Sequence, residues 1–593
     1  MRIGINQNAT YLTDYGSQHY FTNLFRSARG HRAFRGARVG VNGYPEWTEP
    51  GNPLSRISYD MAHWRGGLPE PYHGSFALFV DGAAEVTIKR KDRNGGTIDT
   101  LYRGVHQGPV QLPVTIPPTD HASSIHVTFR HVSRPVTELA LVHADHIAAH
   151  SDLAEFNPDY MALIKRSGGI WRTMKATRTD DDPESVTIAA RDDLEWTGKW
   201  PDNLRGVPYS EVLHSAWRAD VTPWIALNAA ITDADVDELA SDIAAYDIPL
   251  YAEYGNEGFH GPRGGSPHHY WIKQAQLKWP GCPANATSGR QWLAWRWSQI
   301  IDRLEAAGVR HLIKVVYADQ ANWTGWIKFA LDVPLWAATA AADGEADRLA
   351  RWSSGSMIDV FAVNAYYGED LLPRGSKPGL IDMADRNDPG KVLDGLNRSA
   401  NKRANEMAAL KKALQARLPG KQFEFAAYEA GMSDGRGLYL PFQNLPEMEQ
   451  AHAHWIKSCK DVAGLDTVML YNDLSNGAWW HYPHVRADLS DTYKGSAIAP
   501  YIGSQPAPTP SPNPSPVDDT APPVSPADDG APSSPPQPAE DTKPEPPVDD
   551  HEPPVDDPQQ PLPPIDDTQK PPVRDVAAIV ADVRTLLDEL EQL

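Results

Sequence analysis

From about residue 138 the chain keeps one rhythm: a short apolar run, then an amphipathic stretch, repeated eight times. The runs are LALVHA from Leu139, IWRTM from Ile170, PWIALN from Pro223 and PLYAEYG from Pro249, followed by HLIKVVYA from His311, IDVFAVNAYYG from Ile358, FEFAAYEAG from Phe423 and TVMLYND from Thr467. Helical stretches such as DADVDELASDIAAYD, RQWLAWRWSQIIDRLEAAG and ANKRANEMAALKKALQARLPG lie between them. Parallel strands need crossovers of this length, and strands buried on both faces read as continuous apolar runs. The repeat therefore predicts an α/β chain with a (β/α)8, or TIM, barrel over 138–503. A doubly wound open sheet is the alternative. The early strands lack the Gly-rich phosphate loop of that fold, which disfavours it.

The flanks have other characters. Ser75–Val80, Ala84–Lys89, Thr97–Tyr102 and Ser124–Phe129 alternate in hydropathy between Gly, Asp, Asn and Pro, predicting a β-sandwich-like region over 1–137. IGIN at Ile3, with the helix-like HYFTNLFRSARG after it, reads either as a first barrel strand with the sandwich inserted behind it or as a sandwich edge. Over 504–574 the chain is Pro, Asp, Ser and Ala, with PVDD repeated around Val517, Val548 and Val555. Such a segment buries too little apolar area to offset its chain entropy, so a disordered linker is expected. Its 14 acids against 3 bases account for half of the net charge of -22, so the charge reports the linker and not a substrate. At 575–593, Val576, Ile579, Val583, Leu586, Leu590 and Leu593 form an a/d seam. A short C-terminal helix follows, either docked on its own barrel or pairing with a second copy or an assembly partner.

Bulk properties exclude several classes. No apolar run is long enough to span a bilayer. The opening MRIGINQNATYLTDYG has no basic and apolar leader, so ordinary secretion is not expected from this sequence. Localisation stays open between the cytoplasm, a virion and an extracellular site reached by another route. Two cysteines, Cys282 and Cys459, are expected as free thiols. An acidic chain lacks the clustered Lys and Arg of a nucleic-acid binder.

Barrel chemistry sits at the C-terminal ends of strands. Those ends present Arg172, Asn228, Asn256 with Glu257, Tyr366 with Tyr367, Glu429 and Asn472. Glu257 and Glu429 each follow an apolar run directly, about 172 positions apart, so the fold can set them across the barrel mouth from one another. A pair of carboxyl groups, one protonated and one ionised, is what glycoside hydrolysis requires. A glutamate at a strand end is often only a solvated loop residue. Two at matching ends, one preceded by Asn, favour the chemical reading.

YGNE and YEAG resemble the signatures of glycoside hydrolase clan A, at the fourth and seventh strands in this count. A looser resemblance is to bacterial and phage glycoside hydrolase-like proteins, some labelled cellulose-binding. They open with a GIN segment and continue as NPDYMALIKRSGGIWRTM and YAEYGNE. The resemblance covers about residues 1–500. It implies Glu257 as acid/base and Glu429 as nucleophile of a retaining glycosidase acting on a β-linked poly- or oligosaccharide. It further implies Asn256 at the sugar 2-hydroxyl, with Arg172 and either Tyr366 or Tyr367 on the nucleophile. The chain departs from the clan at Asn364, where a His is common, and after the eighth strand, where Tyr471 and Asn472 stand in place of a Trp.

Trp196, Trp200, Trp224, Trp323, Trp479 and Trp480 fall in or beside strand ends. Core packing is the usual fate of any one Trp, and Trp479 and Trp480 are taken as the sugar platforms. His260, His268 and His269 lie after Glu257 without the spacing of a zinc site, so no metal and no cofactor is expected. No GxSxG elbow supports esterase chemistry. The rival function is a carbohydrate-binding adhesin or virion-associated barrel with little turnover.

Overall fold

The computed structural model describes residues 1–7, 21–27, 30–34, 37–39, 45–47, 56–60, 73–92, 94–117, 124–149, 156–174, 176–177, 179, 183–184, 186–187, 204–205, 207–257, 267–373, 377–433, 442, 445–471, 481 and 486–502. The Pro/Asp-rich linker and the a/d seam lie outside these, as do Trp196, Trp200, His260, Asn472, Trp479 and Trp480.

Eight parallel strands close into a barrel. They are β1 (Arg2–Asn6), β2 (Ile170–Arg172), β3 (Thr222–Leu227), β4 (Leu250–Tyr254), β5 (Ile313–Asp319), β6 (Val360–Tyr367), β7 (Glu424–Met432) and β8 (Thr467–Leu470). Closure runs through β1, which pairs Asn6 with Arg172 on one side and Ile5 with Leu470 on the other. The expectation that LALVHA would be the first barrel strand is therefore corrected. Leu139 belongs to a long strand, Ser124–His143, that pairs antiparallel with Gly74–Lys91. A continuous apolar run marks burial on both faces but not which sheet it joins.

Period 2 divides each barrel strand between two cores. Ile170, Trp224, Tyr251, Val316, Val360, Ala362, Ala426, Tyr428 and Met469 fill the barrel interior. Ile3, Ile5, Trp171, Ile225, Leu227, Phe361 and Phe425 face the surrounding helices. Several helices begin at residues whose side chains cap them. Thr232 makes a reciprocal capping box with Asp235 ahead of Asp233–Tyr246, and Asn285 accepts two amides ahead of Ala286–Ala306. Most tryptophans of the barrel are core, among them Trp171, Trp297, Trp326, Trp336, Trp352 and Trp455. Cys282 and Cys459 are free and buried.

Between β1 and β2 the chain builds a separate antiparallel sheet with its own core of Phe25, Tyr59, Leu78, Val86, Val127 and Leu141 among others. The two strands expected at Ser75–Val80 and Ala84–Lys89 are one strand, Gly74–Lys91. Its register shifts after Asp81, and one edge takes Val110–Ile116 before the shift and Thr97–Gln107 after it. Of the helix-like HYFTNLFRSARG, the described part holds a single 3-10 turn at Leu24–Ser27. Asn23 fastens that turn to the sheet, donating to the Leu139 carbonyl (3.0 Å) and accepting from the Leu141 amide (3.2 Å).

The N-terminal face of the barrel is held by charge. Glu424 at the start of β7 accepts from Arg2 (2.6 Å), Lys314 (2.8 Å) and the Tyr251 hydroxyl (3.1 Å). At Gly4 in β1 an added Cβ would lie 2.6 Å from Met469 and 2.7 Å from Ile170, so only glycine lets the barrel interior close there. Gly4→Ala is expected to lower unfolding free energy by about 1–3 kcal/mol, the usual cost of overpacking, measured by chemical denaturation. A change under about 0.5 kcal/mol would show that Met469 moves aside freely.

Candidate active site

The site is organised around a guanidinium. Alternation along β2 turns Trp171 toward the helices and Arg172 into the barrel, where it is fully buried. An Arg head carries five donors in a fixed fork. Nε and Nη2 meet the two oxygens of Glu253 (2.9 and 3.0 Å), and Nη2 also reaches Asn256 Oδ1 (2.7 Å). Nη1 reaches Asn6 Oδ1 (2.9 Å) and Glu429 Oε1 (3.1 Å). Asn6 in turn donates to the Tyr428 carbonyl (2.8 Å). One side chain thus ties together the ends of β1, β2, β4 and β7. Burial pulls the Arg172 guanidinium pKa down, but the Glu253 and Glu429 carboxylates more than offset it, and the net direction is up.

Glu253 escaped the reading of strand ends because it lies inside β4, one turn of the pleat below the rim. Its signal was available in the alternation, since Tyr251 and Glu253 share the inward face of a strand that is otherwise apolar. Besides the Arg172 fork it accepts from Trp224 Nε1 (2.8 Å), whose ring stacks on Tyr251.

Glu429 reaches the mouth through an irregularity. Across β6 and β7 the register runs Val363 to Ala427, then Asn364 to Glu429, so Tyr428 is an extra residue on β7. A bulge of this kind re-aims side chains, and here consecutive residues, Tyr428 and Glu429, both face inward. Glu429 Oε2 accepts from the Tyr366 hydroxyl (2.7 Å), while Oε1 belongs to Arg172. Burial first, and then the Glu429 charge, push the Tyr366 phenol well above its ordinary range, so it stays a donor. Tyr367 is the correction to that pair. The next residue on a strand faces the other way, and Tyr367 packs against Trp455 with its hydroxyl on His452 Nδ1 (3.0 Å), on the helix side of the sheet.

Glu257 stands on the turn that follows β4. Gly255 has φ 75°, and a Cβ there would sit 2.3 Å from the Trp271 ring. Glu257 itself has φ 45°, in the left-handed region. For a residue other than glycine this costs on the order of 1 kcal/mol or more, and such strain gathers at functional positions. The charges of Glu257 and Glu429 both bear on the phenols of Tyr366 and Tyr428.

Asn228, at the end of β3, does another task at its carbonyl end: Oδ1 accepts from the Ala230 amide (2.7 Å). Asn228 also lines a groove with Tyr209, Asp235 and Asp242, and its Nδ2 is buried without a hydrogen-bond partner. Asn364 Oδ1 accepts from Ala321 N (3.1 Å) and so anchors the loop after β5. Among the described residues no group of three or more His, Cys, Asp or Glu side chains could hold a metal ion, and no helix is long and apolar enough to cross a membrane.

The fold is a (β/α)8 barrel. No family model matches the chain, and no curated protein matches it. Among solved structures it is similar to the CBM22-1–GH10 modules of a Clostridium thermocellum endo-1,4-β-D-xylanase, at 9% identity and TM-score 0.32, covering 82% of this chain and 96% of that one. It is also similar to a GH128 endo-β-1,3-glucanase from Amycolatopsis mediterranei (11% identity, TM-score 0.26, covering 57% and 93%). A Bacillus subtilis mannanase is a third (13% identity, TM-score 0.28, covering 57% and 79%). The barrel assignment rests on the strand pairing of this chain itself.

Removing one partner from a buried ion pair leaves the other unpaired, a loss of about 3–5 kcal/mol. Glu253→Ala is expected to destabilise the chain by that order in denaturant unfolding. A loss below about 1 kcal/mol would mean that Glu429, Asn6 and Asn256 hold Arg172 without it.

Proposed function

We propose that the chain is a retaining glycoside hydrolase acting on a β-linked poly- or oligosaccharide, with Glu257 as acid/base and Glu429 as nucleophile. The observation that carries this reading is the pair of donors on Glu429: Arg172 on one oxygen and Tyr366 on the other. Both favour the ionised carboxylate, which is the form that attacks.

In the first step Glu257 gives its proton to the glycosidic oxygen as the bond to the anomeric carbon breaks. A Glu429 oxygen forms a bond to that carbon, giving a glycosyl ester and releasing the leaving sugar with its new hydroxyl. In the second step Glu257, now ionised, takes a proton from water. The resulting hydroxide displaces Glu429, which leaves as a carboxylate, and Glu257 is again protonated. Two inversions give net retention. Asn256 is the assigned partner of the 2-hydroxyl. Arg172 holds Asn256 by Oδ1, which fixes its amide orientation beside Glu429. Trp479 and Trp480 remain the proposed platforms for the sugar face.

On a panel of xylan, laminarin and β-mannan, Glu429→Gln is expected to abolish turnover of the responsive glycan. Glu257→Gln should lower kcat/KM by about 10²–10⁴-fold, the range of general acid–base catalysis. Proton NMR of a β-linked oligosaccharide digest should show the β-anomer first. An α-anomer formed first would overturn retention, and unchanged turnover in both variants would overturn the carboxylate pair. Glycan binding without any product from the wild-type chain would favour a binding protein instead.

A further inference from the structure

The β7 bulge turns a second side chain into the barrel beside Glu429. Tyr428 is 1% exposed and packs among Trp224, Val316, Ala426 and Met469 in the interior cluster. The Arg172 guanidinium lies 5.0 Å from its ring centre. Its hydroxyl is buried and has no hydrogen-bond partner. Such a group costs free energy, because it has lost water and gained nothing in return. Its ring lies under the guanidinium that holds Glu429, and the charges of Glu257 and Glu429 both bear on the phenol. Burial first, and then those two charges, push the phenol well above its ordinary range, which keeps the proton on the oxygen. The barrel interior beside the Arg172–Glu429 pair therefore holds a desolvated donor without a protein acceptor.

Tyr317 is a useful contrast. Its hydroxyl is likewise buried without a partner, but its ring faces the helices and stacks on Trp326 at 5.5 Å. An unpartnered phenol is thus not peculiar to the cleft. What distinguishes Tyr428 is its inward direction and its two acidic neighbours.

We propose that the Tyr428 hydroxyl is a substrate-binding group, donating a hydrogen bond from the cleft floor to an oxygen of the sugar held between Glu257 and Glu429. This rests on the glycosidase reading above. A bound sugar would supply the acceptor that the protein withholds. The arrangement trades stability of the free protein for affinity at the reacting ring. It also accounts for the extra residue in β7: without the bulge, strand alternation would send either Tyr428 or Glu429 to the helix side.

Tyr428→Phe keeps the ring and its contact with Arg172 and removes only the oxygen. The expected result is a split. The melting temperature stays level or rises, while kcat/KM on the responsive glycan of the panel falls by about 10- to 100-fold, the loss expected for one buried hydrogen bond to substrate. Tyr317→Phe, treated in the same way, should leave kcat/KM at the wild-type value. If Glu429→Gln abolishes turnover while Tyr428→Phe keeps wild-type kcat/KM, the inference fails and the glycosidase reading stands. A fall in melting temperature together with the loss of activity would mark the hydroxyl as structural and also overturn the inference. An equal loss in Tyr317→Phe would do the same. If Glu429→Gln leaves turnover unchanged, the glycosidase reading fails and takes this assignment with it.

Discussion

The barrel mouth depends on where one buried guanidinium can put its five hydrogens. Arg172 has no water to turn to, so every donor must find an oxygen within the protein. Those oxygens come from Asn6, Glu253, Asn256 and Glu429, on three other strands or their ends. Moving any of these strands would unpair a charge in a low-dielectric interior, which is far more costly than losing an apolar contact. The same contacts that hold the upper barrel together therefore hold the two candidate catalytic segments in position. Stability and chemistry share a single set of atoms here.

At the opposite end the logic is simpler. Glu424 gathers Arg2, Lys314 and Tyr251 at the starts of β7, β1, β5 and β4. The contrast follows the general division of such barrels, where the N-terminal face serves stability and the C-terminal face serves function. Three departures from local rules lie at the upper face: the left-handed Glu257, the β7 bulge and the unpartnered Tyr428 hydroxyl. Each costs free energy in the empty protein, and each acts on the position or the partners of a candidate catalytic group.

The strand–helix rhythm was legible because buried parallel strands and amphipathic helices have different periods, and both persist over many residues. Seven of the eight barrel strands were readable in this way, from IWRTM to TVMLYND. The first was ambiguous. IGIN and LALVHA are both short, apolar and buried, and only their distant partners, β2 and β8 for one and Gly74–Lys91 for the other, separate them. Glu257, Glu429 and Arg172 were visible as polar residues ending apolar runs. Glu253 lies inside a strand and not at its end, where only the inward alternation it shares with Tyr251 marks it. Tyr366 and Tyr367 could not be ranked, since a bulge upstream on a neighbouring strand changes what each face meets.

What the amino-acid sequence determined by itself is therefore periodic and local: an eightfold alternation, caps that start helices, and glutamates delivered to strand ends. Tertiary structure alone decided which strand closes the barrel, which tyrosine meets Glu429, and that Arg172 joins four strands through one head group. The physical reason is range. Side-chain alternation is set by neighbouring residues, whereas hydrogen-bond partners for a buried charge are chosen across separations of 81 to 257 residues, by closure of the whole sheet.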